Sequence, residues 1–349
     1  MECGIIGLPA SGKTSLFIAL TGSRTIHPAG SGRPNLAGAA IPDPRLGIIA
    51  THIEPCKITH ATISFVDIPG IDPERGSAKS GPLLAHVRQV DAICEVVRCF
   101  EGSDARRDIT RLEEELVLAD QALVEPVLDK GRRAARSGGA EVKARVAVLE
   151  KALAVLEDGR PVRTVTGFTA AEQAIVRSYG LITAKRILYV ANVGEDDLAG
   201  ESEAARAVVE HAAVSGGEAV VLCAMLESEL AELDEADRTE MLEGMGLSEP
   251  AIGPMARAVC RLLGLRTFYT AGEKEVRAWT VADDATAPEA AGVIHTDLQR
   301  GFIRAECYHV DDLVEFHSEK AIKAAGRLRT EGKSYQVRDG DVMHMLFNV

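Results

Sequence analysis

The chain has 349 residues, 46% of them hydrophobic and 26% charged, with a formal net charge of -13. That length supports two or three domains with cores of their own, and no apolar run approaches the length of a bilayer span, which excludes a helical membrane protein. The acidic balance argues against broad binding of nucleic acid through bulk charge, while seven scattered cysteines without a C-x-x-C pair exclude a disulfide frame and a zinc knuckle.

The chain starts on a strand pattern, not a signal peptide, and its cysteine usage fits free thiols, so a reducing, cytoplasmic setting is expected. Cys3 to Ile6 predicts a short strand and Ser15 to Leu20 a helix. Between them Gly7-Leu8-Pro9-Ala10-Ser11-Gly12-Lys13-Thr14 forms a complete G-x-x-x-x-G-K-[ST] loop. Backbone N–H groups of such a turn, at the positive end of a helix, cradle phosphate oxygens. Gly7, Pro9, Ala10, Ser11, Gly12, Lys13, Thr14 and Ser15 are therefore the candidate phosphate contacts. Lys13 is expected to reach the β- and γ-phosphates and to stabilise charge during cleavage, and the Thr14 hydroxyl to ligate Mg²⁺.

A second strand, Ile63 to Val66, ends in Asp67-Ile68-Pro69-Gly70. In this D-x-x-G form Asp67 is delivered beside the metal, and the Gly70 amide approaches the γ-phosphate because no side chain obstructs it. Ile71 follows, where Ras-like GTPases carry a water-orienting glutamine. An isoleucine side chain cannot hydrogen-bond water, so either hydrolysis is slow or another group positions the nucleophile; His86 is a candidate only if the segment after switch II folds back over the phosphates. Residues 25–40 and 67–81 are the expected switch segments.

Residues 104–182 interrupt the strand–helix alternation with two helical patterns. Leu112, Leu116, Ala119 and Leu123, then Val146, Leu149, Leu153 and Leu156, recur at intervals of three and four. Ser137-Gly138-Gly139 reads as the turn of a helical hairpin, and Asp158-Gly159-Arg160-Pro161 as its stop. Lys130, Arg132, Arg133 and Arg136 cluster near the tip, either as a solvated loop or as a contact for RNA or an acidic partner.

A third strand, Ile187 to Asn192, leads into Val193-Gly194-Glu195. GTPases hold N-K-x-D here, whose aspartate accepts from guanine. In this chain the lysine is absent and the acid is one methylene longer, while an asparagine amide such as Asn192 matches the N6 donor and N7 acceptor of adenine, unless it serves only as an Asx-turn. ATP is therefore favoured over GTP. The fourth strand, Ala219 to Leu222, runs into Cys223-Ala224-Met225, where backbone amides are expected to touch the base. The four motifs in this order predict one doubly wound sheet with ligands at the carboxyl ends of its strands.

From 266 onward, alternating segments separated by Glu331-Gly332-Lys333 and Asp339-Gly340-Asp341 predict a small sheet. Arg300, Arg304, Arg327, Arg329 and Lys333 form either a basic patch or a set of salt bridges. His295 reads as a packed or surface histidine in preference to a catalytic one.

These motifs and their flanks resemble the YchF-type Obg-like ATPases of the Obg-related P-loop class over nearly the whole chain. The marks are Gly-Leu-Pro-x-x-Gly-Lys at 7–13, Ile-Pro-Asp-Pro-Arg-Leu at 41–46, His86 to Cys94, Ala-Asn-Val-Gly-Glu at 191–195, and most of the last 85 residues. The resemblance implies ATP and Mg²⁺ as cofactors, a helical domain inserted at 104–182, a C-terminal TGS domain of β-grasp type, and the ribosome or ribosomal RNA as partner, with no membrane and no DNA sequence recognition. It also places Ser31 where the family has its switch-I threonine, a third Mg²⁺ ligand, with the register carried by Pro28, Pro34 and Asn35. The departures are a switch I without aromatic anchors, Ala10-Ser11 in the phosphate loop, and Cys223 for serine.

The expected fold is thus an α/β P-loop doubly wound sheet with an inserted helical hairpin and a C-terminal β-grasp domain. Its boundaries are 1–103 and 183–265 for the nucleotide domain, 104–182 for the insertion and 266–349 for the C-terminal domain. The expected activity is Mg²⁺-dependent ATP binding and hydrolysis in a switch protein. The rivals are an ATP-occupancy sensor without significant turnover and a P-loop phosphotransferase acting on a small molecule.

Overall fold

The computed structural model describes residues 1–23, 26–27, 32–75, 77–100, 102–137 and 139–348. Ser31 and Pro28 of the expected switch I, and Gly138 of the expected hairpin turn, lie outside the described residues. The chain forms two compact units, Met1–Ala37 with Ser64–Met255, and Gly38–Ile63 with Ala256–Val349. Among the described residues no helix is long and apolar enough to cross a membrane.

In chain order the elements begin with β1 (Glu2–Ile6), α1 (Lys13–Thr21), β2 (Asn35–Ala40), α2 (Pro44–Ile53), β3 (Ile58–Thr59), β4 (Thr62–Asp67), α3 (Ser77–Gln89) and β5 (Ala92–Arg98). There follow α4 (Ala105–Ala135), α5 (Ala140–Glu157), α6 (Ala170–Ser178), β6 (Arg186–Asn192), α7 (Glu203–Ser215), β7 (Glu218–Leu222), α8 (Ala224–Leu230), α9 (Glu235–Gly244) and α10 (Ile252–Leu262). One sheet has the order β2-β4-β1-β5-β6-β7, and its pairs β1–β4, β1–β5, β5–β6 and β6–β7 are parallel. β5 and β6 are buried along nearly their whole length. Both read as continuous apolar runs, as strands covered on both faces must. Glu95, in the middle of β5, is the exception.

The long helix α4 spans about 46 Å at 1.5 Å per residue. Asp104 caps it by accepting from the Arg107 N–H at 3.1 Å. Its first half packs into the core beside the sheet through Ile109, Leu112 and Leu116. Only its second half builds the hairpin seam, where Val124 and Leu128 meet Val148, Leu149 and Leu153 of α5. The expected seam positions Ala119 and Leu123 are only partly buried. Asp120, fully buried, anchors the helix by accepting from Arg88 at 2.7 Å and from the backbone N–H groups of Ile182 and Thr183 at 3.0 and 2.7 Å.

The second unit adds β8 (Leu265–Thr270), β9 (Val276–Ala282), α11 (Ala287–Ile294), α12 (Thr296–Arg300), β10 (Phe302–His309), α13 (Val310–Phe316), α14 (Glu319–Ala324), β11 (Arg329–Glu331) and β12 (Asp341–Phe347). Its sheet runs β11-β10-β12-β8-β9-β3, with α11 packed on Phe268, Val281 and Phe302, a β-grasp arrangement. The edge strand β3 arrives from residues 38–63 and pairs in parallel with β9, Ile58 opposite Val276. Asp43 caps α2 by accepting from the Arg45 N–H at 3.0 Å, and accepts from the buried Tyr269 hydroxyl at 2.5 Å. Arg45 continues the chain of ion pairs to Asp339 at 2.5 Å. The Ile-Pro-Asp-Pro-Arg-Leu stretch at 41–46 is therefore part of the framework of the second unit.

Candidate functional site

The loop between β1 and α1 is shaped by close approaches that only its glycines allow. A Cβ on Gly7 would lie 2.5 Å from the Val96 carbonyl, and one on Gly12 would lie 2.1 Å from Asn192 Nδ2. Gly12 sits at φ 93° and caps α1 without a side chain, so the first-turn N–H groups are not capped from within. Ala10 holds φ 60°, a left-handed conformation that costs a non-glycine residue about 1 kcal/mol. Successive N–H groups in such a turn form an anion-binding concavity. Pro9, Ala10 and Ser15 are exposed at this surface, and Ser11 and Lys13 are buried beneath it.

Lys13 donates from Nζ to the Leu8 carbonyl at 2.7 Å, inside its own loop. Burial pulls its ammonium down to about 8, against the attraction of Asp67. Thr14 and Asp67 meet as expected: the Thr14 hydroxyl donates to Asp67 Oδ2 at 3.1 Å, and Asn35 Nδ2 donates to the same oxygen at 3.0 Å. Asp67 Oδ1 is buried with no partner among the described residues. Burial raises the Asp67 carboxyl above the usual carboxylate range, opposed by Asn35, Thr14 and Lys13. An unsatisfied buried carboxylate oxygen beside a threonine hydroxyl is a donor set suited to a hard divalent cation. Gly70 packs against Pro9, where a Cβ would lie 2.9 Å from the proline Cα.

The strand ends of β6 and β7 carry contacts within the protein beside the base-reading role expected of them. The Asn192 amide is engaged at both ends with backbone, donating to the Ser11 carbonyl at 2.9 Å and accepting from the Ala224 N–H at 2.9 Å. It braces the phosphate loop against the start of α8. The amide of Ala224, expected to touch the base, is committed to that brace. Val193 and Cys223 point into the apolar core, so their side chains are not ligand contacts. Glu195 is exposed in a short 3-10 turn, and Met225 is exposed at the head of α8, so both remain accessible to a ligand.

Ile71 is fully buried, and its N–H donates to the Gly7 carbonyl at 3.2 Å, which fixes the switch-II turn to the phosphate loop. His86 is half-buried on α3. Three residues near these motifs have no role in the sequence reading: Asn35, which donates to Asp67, Arg98 at the end of β5, and Phe100, which lies beside Gly194. Only Asn35 had a local signal, its register in the family-like switch pattern. Elsewhere, Arg132 of the hairpin tip pairs with Glu150 at 2.9 Å. Arg300 pairs with Asp297 and Arg329 with Asp341, both at 2.8 Å, the salt-bridge alternative for these two. His295 accepts from the Asp297 N–H and caps α12.

Comparison with known proteins gives matches to two family models and to whole-chain relatives. A family model for the C-terminal part of YchF GTPases, described as a protein of unknown function, matches residues 265–348. A model described as a 50S ribosome-binding GTPase matches residues 2–128. The chain is similar to the protein of Haemophilus influenzae named ribosome-binding ATPase YchF, at 42% identity over 100% of this chain and 99% of that one. The protein of Bacillus subtilis with the same name is 39% identical over 100% of both chains. Among solved structures, the YchF GTPase of Schizosaccharomyces pombe aligns with a TM-score of 0.87 at 30% identity, over 99% of this chain and 97% of that one.

Proposed function

The chain belongs to the YchF family, and on that premise we propose that it binds and hydrolyses ATP in a Mg²⁺-dependent manner and works at the ribosome. The observation that carries the site is Asp67, whose Oδ2 is held by Thr14 and Asn35 while its buried Oδ1 lacks a partner. Asp67 and the Thr14 hydroxyl would hold Mg²⁺, and Ser31 is the switch-I residue proposed to join them. When bound, the ion would neutralise charge on the β- and γ-phosphate oxygens.

The protein groups do the rest. The N–H groups of the loop and of the first turn of α1 receive the phosphate oxygens, and Lys13 exchanges the Leu8 carbonyl for the β- and γ-phosphates. The Gly70 N–H meets the γ-phosphate. Water attacks the γ-phosphorus, the bond to the bridging oxygen breaks, ADP leaves with that electron pair, and the proton passes to solvent. Catalysis is chiefly electrostatic and positional.

The choice of ATP over GTP is supported by the missing N-K-x-D fork and by the names of the relatives. The sensor reading is favoured by one observation, the burial of Ile71, which leaves the glutamine position without a polar group facing water. Single-turnover cleavage of γ-labelled ATP and GTP, with and without purified ribosomes, tests both. Cleavage of ATP that rises with ribosomes is expected; no cleavage in either setting would leave only the sensor.

A further inference from the structure

Against the phosphate loop, within the first unit, lies a cavity of about 170 Å³ that shares Pro9 and Ser11 with the nucleotide site and extends beyond it. Pro9 and Ser11 form one wall, and Glu74, Arg98, Asp108 and Arg111 close the others. A narrower recess shares Ser11, Arg98 and Asp108 with it and reaches Glu95.

The polar groups here are held loosely. Arg98 Nε is buried with no partner among the described residues, its guanidinium lies 6.0 Å from the Phe100 ring centre, and Asp108 stands 3.9 Å from its terminal nitrogen, beyond hydrogen-bond reach. Arg111 donates to Glu74 at 2.8 Å, but the Glu74 side chain is 74% exposed, and an ion pair so open to water exchanges readily. Asp72, at the rim, accepts from the Glu74 backbone N–H. Glu95 Oε2 is also buried without a partner. Burial and the neighbouring Glu113 push its carboxyl well above the usual range. Arg98 and Arg111 thus present guanidinium N–H groups among the carboxylates of Asp72, Glu74 and Asp108, and Arg98 Nε is buried without a partner among the described residues. Planar guanidinium forks match the oxygens of a tetrahedral oxyanion, and the space accommodates one orthophosphate.

The position gives the cavity a role. Pro9 lines it and also packs against Gly70, the residue proposed to meet the γ-phosphate. We propose that this cavity is a transit site for inorganic phosphate leaving the nucleotide site, with Arg98 and Arg111 as its guanidinium ligands. The inference rests on the hydrolysis reading, since cleavage of ATP by water yields ADP, HPO₄²⁻ and a proton. The phosphate passes Pro9, displaces the weak carboxylate partners of the two arginines, and leaves where Glu74 borders solvent.

Equilibrium dialysis of labelled orthophosphate against the full chain loaded with Mg²⁺ and β,γ-imido-ATP, which fills the γ-position, tests the site directly. Phosphate should still bind, and the double variant Arg98→Gln/Arg111→Gln should weaken it at least tenfold. The single variant Arg111→Gln should weaken it about threefold without challenging the fold. Exclusion of phosphate by the analogue would place it in the phosphate loop and overturn the proposal, as would equal binding by the variants. In rapid-quench work, cleavage should stay within twofold in Arg111→Gln, while the lag between cleavage and phosphate release shortens; an unchanged lag counts against transit. If the parent cleaves no ATP even with ribosomes, the hydrolysis reading fails and the transit role with it, while the dialysis result still decides whether the cavity takes phosphate.

Discussion

Replacing Asn192 with alanine separates the brace seen in the structure from the base-reading role that the sequence suggests. The wild-type amide makes two buried hydrogen bonds, both at 2.9 Å, to the Ser11 carbonyl and from the Ala224 N–H. Alanine removes both and leaves the two backbone groups buried without partners. Each unsatisfied group costs about 1–3 kcal/mol, so the nucleotide unit should lose roughly 2–5 kcal/mol. Asn192→Asp should fare little better, because a carboxylate oxygen would then face the Ser11 carbonyl. The measurement is amide hydrogen exchange across residues 7–15 with urea unfolding of the full chain, alongside titrations with ATP and GTP. Protection across the loop should fall and both nucleotides should weaken together, with their affinity ratio within about twofold. Should Asn192→Ala leave stability within about 0.5 kcal/mol of the parent and instead shift the ATP-to-GTP ratio tenfold, the brace argument is wrong and the amide reads the base.

Three further outcomes follow from the same geometry. Asp67→Asn removes a buried carboxylate whose protonation is favoured by burial; the nucleotide-free protein should gain about 1 kcal/mol at neutral pH, while Mg²⁺ no longer strengthens ATP binding, as melting with and without Mg²⁺-ATP would show. Val193→Lys, which by the motif restores a GTPase feature, instead forces an ammonium into the core. A loss of about 3–5 kcal/mol is expected, and a variant as stable as the parent would contradict the burial of Val193. Glu113 accepts from Tyr189 at 2.5 Å and lies 3.0 Å from His211. Burial raises its pKa, but His211, Arg163 and Tyr189 bring it down to about 2. With the folded value below the unfolded 4.5, its contribution of about 3 kcal/mol is present above pH 4.5 and lost as pH falls towards 2. The stability gap between the parent and Glu113→Gln should therefore close across that window, and a constant gap would refute the assignment.

What the sequence disclosed were the parts encoded locally. The phosphate loop and D-x-x-G are legible because their glycines meet a steric demand within a few residues, and the strands before them are short and mostly apolar. The hairpin was legible from its periodicity, but not its division, because Leu112 and Leu116 have the same spacing whether they face α5 or the sheet. The brace made by Asn192 stayed hidden for a related reason: its partners lie 181 and 32 positions away, and nothing near residue 192 announces them. Arg98 and Glu95 stayed hidden because a polar residue in an apolar strand carries no hint of which cavity it borders. The strand of residues 58–59 was missed as well, since two residues supply no pattern.

The path of residues 38–63 has a practical consequence. The backbone leaves the first unit just after Asn35 and re-enters it at Ser64, three positions before Asp67, having meanwhile supplied an edge strand and a capped helix to the second. A stop codon or protease nick near Gly264 would not release a self-sufficient nucleotide-binding half. It would strand a 26-residue loop whose strand partner β9 and whose tyrosine, Tyr269, had gone with the other fragment.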